Sequence, residues 1–197
     1  MPKPYVPNDQ WSQRAAAEGY RARSVYKLME LDEKFRLIKT GMKVLDIGAA
    51  PGSWLQYASK RVGPTGKILG LDLKEIVKVA PNVITRVCDV LDPAAVSEAL
   101  KLIGTDKVDL VLSDIAPNTS GIKDRDQWLS VELNRQVAAV ASKVLKPNGA
   151  LILKVFRGKD FDPFFADLRR AFGKVRVVSV AASRDRSREV YLVVSGR

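Results

Sequence analysis

The sequence predicts an α/β fold, a mostly parallel sheet of seven strands with helices on both faces. Short apolar runs alternate along the chain with longer amphipathic segments, which is the pattern of βαβ units. The last two apolar runs, 175–180 and 190–194, have no helix between them, so we expect an antiparallel last strand at one edge. The chain has 197 residues, of which 46% are apolar, enough for one well-buried domain.

Each element follows from its local pattern. Residues 9–35 contain few helix breakers and are predicted to form one or two helices. Apolar runs bounded by glycine or charged residues predict the other strands at 43–47, 67–72, 83–87, 108–113 and 150–156. Proline at a first turn, amphipathic spacing and the stop signal at 147–149 predict the other helices at 53–62, 93–103, 126–145 and 160–172.

The net charge of +11 is unevenly distributed. Residues 1–40 carry +3 and residues 154–197 carry +6, whereas the long middle segment, 41–153, carries only +2. We therefore predict one domain over 1–197, a basic helical arm at 1–40 joined to a core at 41–197, with both ends contacting a polyanion such as nucleic acid. The alternative is that the excess charge only keeps the protein in solution.

Composition excludes several kinds of site. The chain has no histidine and one cysteine, Cys88, which rules out Ser-His-Asp and Cys-His catalysis, histidine-bound metals, Cys-rich zinc sites and internal disulfides. We therefore expect no metal. No apolar run is long enough to cross a bilayer, and the first seven residues lack the apolar core of a signal peptide. These features favour a cytoplasmic protein with no membrane partner.

A loop of small residues follows the first predicted strand. It begins after Asp46 and contains Gly48 and Gly52 in a Gly-x-x-x-Gly spacing. This is neither a dinucleotide-binding Gly-x-Gly-x-x-Gly nor a P-loop, which argues against a nicotinamide oxidoreductase. Small residues let a ligand approach the backbone and the amides of the next helix. The loop therefore predicts a binding site, and the alternative is a tight strand-to-helix turn.

Charged residues follow or interrupt the other strands. Asp72 ends the second strand and could bind ribose hydroxyls, and Asp89 lies just past the third strand and could bind an adenine amino group. Asp114 directly follows the fourth strand. Lys154 interrupts an apolar strand, which is costly unless the lysine is paired or functional. The alternatives are that the aspartates are turn or cap residues and that Lys154 lies at an exposed strand end.

Five motifs in this order resemble the FtsJ/RrmJ family of RNA 2′-O-ribose methyltransferases. They are Tyr-Arg-Ala-Arg-Ser-Val-Tyr-Lys-Leu at 20–28, Asp-Ile-Gly-Ala-Ala-Pro-Gly-Ser-Trp at 46–54, Ser-Asp-Ile-Ala-Pro-Asn at 113–118, Leu-Lys-Val-Phe at 153–156 and Ser-Arg-Glu-Val-Tyr at 187–191. The resemblance runs from about Trp11 to Arg197. It implies a Rossmann-like S-adenosylmethionine-dependent methyltransferase fold and transfer of a methyl group to a ribose 2′-oxygen.

The resemblance also implies site residues. The family's catalytic tetrad falls on Lys27, Asp114, Lys154 and Glu189. Its S-adenosyl-L-methionine contacts fall on Gly52, Trp54, Asp72, Asp89 and Asp114, to which the loop adds Asp46 and Gly48. Ser53 replaces a glycine of the family motif, and we expect its hydroxyl to cap the following helix. Lys154 would act either as a neutral base or as a cation that stabilises the developing alkoxide.

The basic ends would then hold RNA. We predict phosphate contacts from Arg14, Arg21, Arg23, Arg184, Arg186 and Arg188. The short chain resembles the family members that act on large-subunit ribosomal RNA, with uridine as the expected nucleoside and a monomer as the expected state. The alternatives are 2′-O-methylation of the tRNA anticodon loop and a non-catalytic RNA-binding module.

Overall fold

The computed structural model describes residues 10–183 and 188–195 and contains the predicted alternation of strands and helices. Its helices in these ranges are α1 (Gln10–Ala17), α2 (Val25–Phe35), α3 (Ser53–Val62), α4 (Pro93–Lys101), α5 (Lys123–Val144) and α6 (Phe161–Phe172). Its strands there are β1 (Lys43–Ile47), β2 (Lys67–Asp72), β3 (Val83–Val87), β4 (Val108–Ser113), β5 (Leu145–Phe156), β6 (Val175–Val178) and β7 (Glu189–Ser195). Among these helices, none is both long and apolar enough to cross a membrane.

The strands form one sheet in the order β3-β2-β1-β4-β5-β7-β6. Strands β1 to β5 are parallel, and β7 is antiparallel to both of its neighbours, β5 and β6. The predicted antiparallel edge is therefore confirmed. From β1, the sheet first extends through β2 and β3 on one side, and the chain then crosses to form β4 on the other side of β1. In this fold, a ligand crevice is expected at such a point, outside the carboxyl ends of β1 and β4. Ile47 pairs with Ser113, which places Gly48 and Asp114 at that crevice.

The observed bounds of β5, α4 and β6 differ by a few residues from the predicted ones. β5 begins at Leu145 instead of residue 150, since Leu145 pairs with Val108 while Ala150 pairs with Leu110. The pairing register shifts between these two pairs, and residues 147–149 form an irregularity in β5 at this point. Asn148 within it has a φ of 65°. The ends of α4 and β6 also differ from the prediction: α4 stops at residue 101 and β6 at residue 178.

The start of α5 also differs, because Asp126 does not begin the helix. The helix begins at Lys123, and Asp126 lies in its first turn. The Asp126 carboxylate accepts hydrogen bonds from the backbone N–H groups of Ser120, at 2.7 Å, and Gly121, at 3.0 Å. The bond from Ser120 contributes most to lowering the pKa of Asp126. Asp126 thereby fixes the loop that connects Asp114 to the helix.

Hydrophobic cores cover both faces of the sheet. Successive residues of the central strands alternate between them: Val111 and Leu151 belong to one core, whereas Leu110 and Ile152 belong to the other. Helices α4, α5 and α6 cover the first face, and α2 and α3 cover the second. The predicted arrangement of helices on both sides is confirmed.

The N-terminal helix α2 is anchored to α3 by a buried carboxylate. Asp32 Oδ2 accepts hydrogen bonds from Tyr57 Oη and from Arg61 Nε of α3, each at 2.9 Å. Leu28 and Leu31 of α2 belong to the core between the sheet and these helices. Removing one partner of such a buried network leaves a desolvated charge, so the contact holds α2 in a defined position. This anchoring fixes the helix that carries Lys27.

Candidate active site

The loop between β1 and α3 forms one wall of the crevice. Gly48 has a φ of 74°, and its N–H donates to the carbonyl of Leu71 at 2.9 Å. A Cβ added at Gly48 would lie 3.0 Å from Cβ of Ile115, the residue after Asp114. Glycine is therefore needed here both for the backbone conformation and for close packing of the β1–α3 and β4–α5 loops.

Asp72 and Asp89 lie where the sequence predicts, at the end of β2 and just beyond β3. Asp72 accepts hydrogen bonds from the N–H groups of Ala50 and Lys74, both at 2.9 Å. Exposed Asp89 accepts one from Leu91 N at 2.9 Å. A carboxylate offers about four acceptor sites, so both retain capacity for a ligand. Asp72 also shapes the glycine loop, and nucleoside binding by either aspartate stays a prediction.

Asp46 is buried in β1 beneath the loop. Neither of its carboxylate oxygens has a hydrogen-bond partner in the part of the chain that the structure describes. Burial, and then the negative charges of Asp114 and Asp72, raise the pKa of Asp46 well above its ordinary value. A small pocket is lined by Asp46 together with Gly48, Ala49, Ser53, Trp54 and Asp114. An unpaired buried acid beside a pocket is suited to a cationic ligand group.

The first turn of α3 packs against the segment before α2. Trp54 is 3% exposed, and its Nε1 donates to the carbonyl of Ser24 at 2.8 Å. Ser53 does not cap the helix: the N-cap residue is Gly52, and no side chain caps this end. The Ser53 hydroxyl instead lies 3.0 Å from the hydroxyl of Ser24, so the expectation of a Ser53 cap is wrong. Trp54 is thus a packing residue that also borders the pocket.

Lys154 and Asp114 form a buried ion pair at the ends of β4 and β5. The side chain of Lys154 is 8% exposed, and its Nζ lies 3.1 Å from Asp114 Oδ1. The same ammonium donates to the backbone carbonyl of Asp114. Because Ser113 at the end of β4 pairs with Leu153 of β5, the next residues of the two segments, Asp114 and Lys154, lie side by side. The alternative of an exposed strand-end lysine is therefore wrong.

Lys27 and Glu189 form the second buried pair. Lys27 Nζ lies 2.5 Å from Glu189 Oε1, and the side chains are 11% and 10% exposed. Ser183 Oγ donates to the same oxygen at 3.0 Å. Glu189 opens β7 opposite Phe156 of β5, which brings it to the end of the strand that carries Lys154. The four predicted tetrad residues thus meet at one edge of the sheet.

Tyr191 connects the two ion pairs. Its hydroxyl lies 3.0 Å from Asp114 Oδ1 and 3.2 Å from Glu189 Oε1, and its one proton can be donated to one of them at a time. Burial, and then the charges of these two carboxylates, raise the pKa of Tyr191 well above its ordinary value. The hydroxyl is therefore a stable donor that holds the two acids at a fixed separation.

Glu189 is charged despite its burial. Burial alone would raise its pKa, but the positive charges of Lys27 and Lys154 and the hydrogen bonds from Lys27 and Ser183 outweigh that effect. The net result is a lowered pKa. Two ammonium groups and two carboxylates therefore alternate along the site, which balances charge in a largely desolvated place.

Sequence reasoning did not single out Tyr191 or Arg157. Tyr191 lies two positions after Glu189 in a strand, so both side chains point to the same face, and this spacing was a usable signal. Arg157 is exposed just after β5, three positions beyond Lys154, and its N–H donates to the carbonyl of Arg188 at 2.8 Å. The two arginines border an open cleft with Glu189.

The arginines predicted to bind RNA have different surroundings. Arg14 Nε pairs with Glu18 at 2.7 Å, and Arg23 Nη2 donates to the carbonyl of Ala182 at 3.3 Å. Arg188 is exposed, and the guanidinium of Arg21 binds backbone carbonyls. The remaining two, Arg184 and Arg186, lie outside the described residues. For all six, contact with RNA stays a prediction.

Residues 20–197 match the family model of the FtsJ-like methyltransferases. The chain belongs to this family. Its relatives include proteins named ribosomal RNA large subunit methyltransferase E. The one from Azoarcus sp. (strain BH72) is 46% identical over 186 residues, which cover 94% of this chain and 90% of the relative. The one from Pseudomonas fluorescens (strain Pf0-1) is 38% identical over 189 residues, which cover 96% and 90%.

A solved structure has the same fold. It is described as a ribosomal RNA methyltransferase from Plasmodium falciparum, and it superimposes with a TM-score of 0.80 and 32% sequence identity. The match covers 90% of this chain and 98% of the other. The predicted Rossmann-like methyltransferase fold is confirmed. In this FtsJ-like methyltransferase, the two ion pairs and the glycine loop meet at the crevice where that fold binds its ligands.

Proposed function

We propose that the protein transfers a methyl group from S-adenosylmethionine to the 2′-oxygen of a ribose, with uridine as the expected nucleoside, in large-subunit ribosomal RNA. The observation that carries this proposal is the set of two lysines and two carboxylates, linked by Tyr191, beside the glycine loop. The names of the relatives support the choice of RNA. We place this reaction in the cytoplasm. We propose that the protein acts as a monomer.

The residues of the crevice fit S-adenosylmethionine. When bound, this cofactor supplies an electrophilic methyl group on a positively charged sulfur. Asp46 offers a buried, unpaired acid to a cationic ligand, and Gly48 lets the loop after β1 pack closely against the loop after β4 beside the pocket. Asp72 and Asp89 offer further acceptors, as recognition of a nucleoside requires. We assign the cofactor to these residues and to the pocket that Trp54 and Asp114 border.

Lys154 has the central role in this proposal. Its ammonium donates to both the carboxylate and the backbone carbonyl of Asp114, which fixes the direction of the side chain. As the 2′-oxygen attacks the methyl carbon, the bond to sulfur breaks, S-adenosylhomocysteine leaves and the hydroxyl proton passes to solvent water. A fixed cation stabilises the negative charge that develops on the oxygen in this step. We therefore favour the cationic role over the role of neutral base. Lys27, held by Glu189, adds a second positive charge, and Tyr191 keeps the two acids in place.

Transfer of labelled methyl groups tests the proposed function. Wild-type protein with methyl-labelled S-adenosylmethionine is incubated with large ribosomal subunits, their naked RNA or tRNA, and the RNA is digested to nucleosides. We expect the label in a 2′-O-methylated nucleoside, in large-subunit RNA and not in tRNA. Label on a base would contradict ribose chemistry, and label in tRNA would favour the anticodon-loop alternative.

We further expect the arginines next to Glu189 to hold the RNA strand. Replacing both Arg157 and Arg188 with glutamate should weaken RNA binding at least tenfold, because the two exposed guanidinium groups border the cleft at the catalytic edge. The slope of log affinity against log salt should fall by about 0.7 for each lost phosphate contact. Filter binding at several salt concentrations measures both quantities.

The matched control replaces Arg169 and Arg170 with glutamate. Both are exposed residues in the last turn of α6, and the net charge of the protein changes by the same amount as in the first pair. This control should keep the wild-type salt slope. Equal losses in both double variants would point to a nonspecific effect of charge. The Arg184→Glu, Arg186→Glu double variant should resemble the first pair, and unchanged binding would contradict the predicted role of these two arginines.

A further inference from the structure

We propose that Arg21 is a positioning residue for the cofactor loop and couples that loop to the segment leading to Lys27. This inference rests on the proposed use of S-adenosylmethionine. It moves Arg21 from the RNA-binding set, where the sequence placed it, to the cofactor side of the enzyme. The residue acts through the backbone of two loops and not by touching a reacting atom.

The guanidinium of Arg21 clamps two loops together. Nη1 donates to the carbonyls of Pro51, at 3.0 Å, and Val77, at 2.8 Å. Nη2 donates to the carbonyl of Lys78 at 2.9 Å. Pro51 belongs to the glycine loop after β1, and the other two acceptors belong to the loop after β2. A planar guanidinium with several fixed donors can bridge three carbonyls in this way, whereas a single ammonium cannot reproduce the geometry.

Gly52 allows this clamp to form. A Cβ added to Gly52 would lie 2.9 Å from Arg21 Nη1 and 3.2 Å from Cγ2 of Ile76. The φ of Gly52 is 103°, a conformation that other residues rarely adopt. The glycine loop is therefore fitted to the arginine at this position. Any side chain at this position would push the arginine from its carbonyl partners or shift the loop.

The segment around Arg21 is attached to α3 along its length. The N–H of Arg21 donates to Gln56 Oε1 at 2.9 Å, and Gln56 Nε2 donates to the carbonyl of Gly19 at 2.9 Å. Farther along, the carbonyl of Ser24 accepts the indole hydrogen bond of Trp54. Lys27 follows in the next helical turn. The position of Lys27 and the shape of the cofactor loop are therefore set by one connected group of contacts.

These contacts also argue against Arg21 as a phosphate ligand. Its guanidinium already donates three hydrogen bonds to carbonyls within 3.0 Å, and moving the side chain to RNA would give up all three bonds. By contrast, the side chain of Arg188 is exposed beside the catalytic edge. We therefore expect removal of Arg21 to affect cofactor binding and removal of Arg188 to affect RNA binding.

The test measures binding of each ligand separately in wild type, Arg21→Ala, Arg21→Lys and Arg188→Ala. Calorimetry gives the Kd of S-adenosylmethionine, filter binding gives the Kd of RNA against salt, and thermal unfolding reports the folded fraction. We expect Arg21→Ala to raise the cofactor Kd about tenfold, with RNA affinity within twofold and its salt slope unchanged. Arg21→Lys should recover part of the cofactor affinity, and Arg188→Ala should show the reverse pattern.

A purely structural role would lower the unfolding temperature but leave the cofactor Kd of the folded protein unchanged, which would overturn the proposal. A lower RNA salt slope in Arg21→Ala with normal cofactor binding would return Arg21 to the RNA-binding set and also overturn it. Arg170→Ala, which removes an exposed arginine of α6, should change neither Kd.

If wild type bound the cofactor but transferred no methyl group to ribosomal RNA, the proposed function would fail while the role of Arg21 could still be read from the Kd values. If wild type bound no cofactor, both would fail.

Discussion

Replacing Lys154 with methionine is expected to slow methyl transfer about a thousandfold while the protein stays folded. Methionine keeps an unbranched chain that packs within β5 but removes the ammonium that binds Asp114. Removing one preorganised donor from a developing oxyanion typically costs about 10²–10³ in rate, and here the donor also carries charge. We therefore expect the single-turnover rate to fall about a thousandfold. Circular dichroism and thermal unfolding check that the fold is retained.

Lys146 provides the matched control because it lies in the same strand and also pairs with an aspartate of β4. Its Nζ is 2.7 Å from Asp109 Oδ1, but its side chain is 42% exposed and lies at the opposite end of β5. Exposed pairs contribute little to stability, so Lys146→Met should keep its activity within about twofold. A similar loss in both variants would mean that strand β5 is simply intolerant of the change.

Lys154→Arg separates the two chemical roles left open for this lysine. Arginine is permanently charged, so it can stabilise an oxyanion but cannot act as a base near neutral pH. If the cationic role is correct, Lys154→Arg should be measurably more active than Lys154→Met. Equal inactivity of the two variants, with both folded and binding the cofactor, would favour the neutral base.

Most of the fold could be predicted from the sequence because the core-forming signals are local. β1, β2 and β4 lie where their apolar runs lie, since buried parallel strands are nearly continuous apolar segments. The edge strand β3 also has its predicted bounds, although its last two residues are exposed. The start of β5 could not be predicted, because it depends on pairing of Leu145 with Val108 across the sheet. Residues 147–149 carry a turn signal in isolation, and the neighbouring strand overrides it.

The site shows the same division. Lys154 could be found because a lysine in an apolar strand conflicts with its surroundings, and the resemblance to the family named its three partners. The contact between Lys27 and Glu189 joins residues from opposite ends of the chain, so no local spacing could reveal it. The carbonyl contacts of Arg21 were also hidden, since a basic residue in a basic segment is indistinguishable from a phosphate ligand until the loops are in place.

Replacing Asp46 with asparagine is expected to change stability and cofactor binding in opposite directions. Burial, and then the charges of Asp114 and Asp72, raise the pKa of Asp46 above its ordinary value of 3.8. Since the folded state holds the proton more tightly than the unfolded state, wild type loses stability as pH rises above about 4, until the folded protein ionises fully. Asparagine does not ionise and avoids this loss. We expect the free energy of unfolding of Asp46→Asn to exceed that of wild type by about 1–3 kcal/mol near neutral pH, and we expect this difference to vanish near pH 3.

The cofactor affinity should fall in the same variant because the unpaired acid is the feature that suits a cationic ligand. A positive group bound beside Asp46 would offset the cost of its negative charge, so wild type should bind S-adenosylmethionine more tightly as the carboxyl ionises. The Asp46→Asn variant would lack this gain, and we expect its Kd to be at least tenfold higher and nearly independent of pH. Denaturant unfolding and calorimetry across pH 4–8 measure the two effects. A variant that loses both stability and affinity would contradict the assignment, because Asp46 would then be an ordinary structural acid. The proposed trade of stability for ligand binding explains why a strand buried on both faces retains an acidic side chain with no hydrogen-bond partner in the described protein.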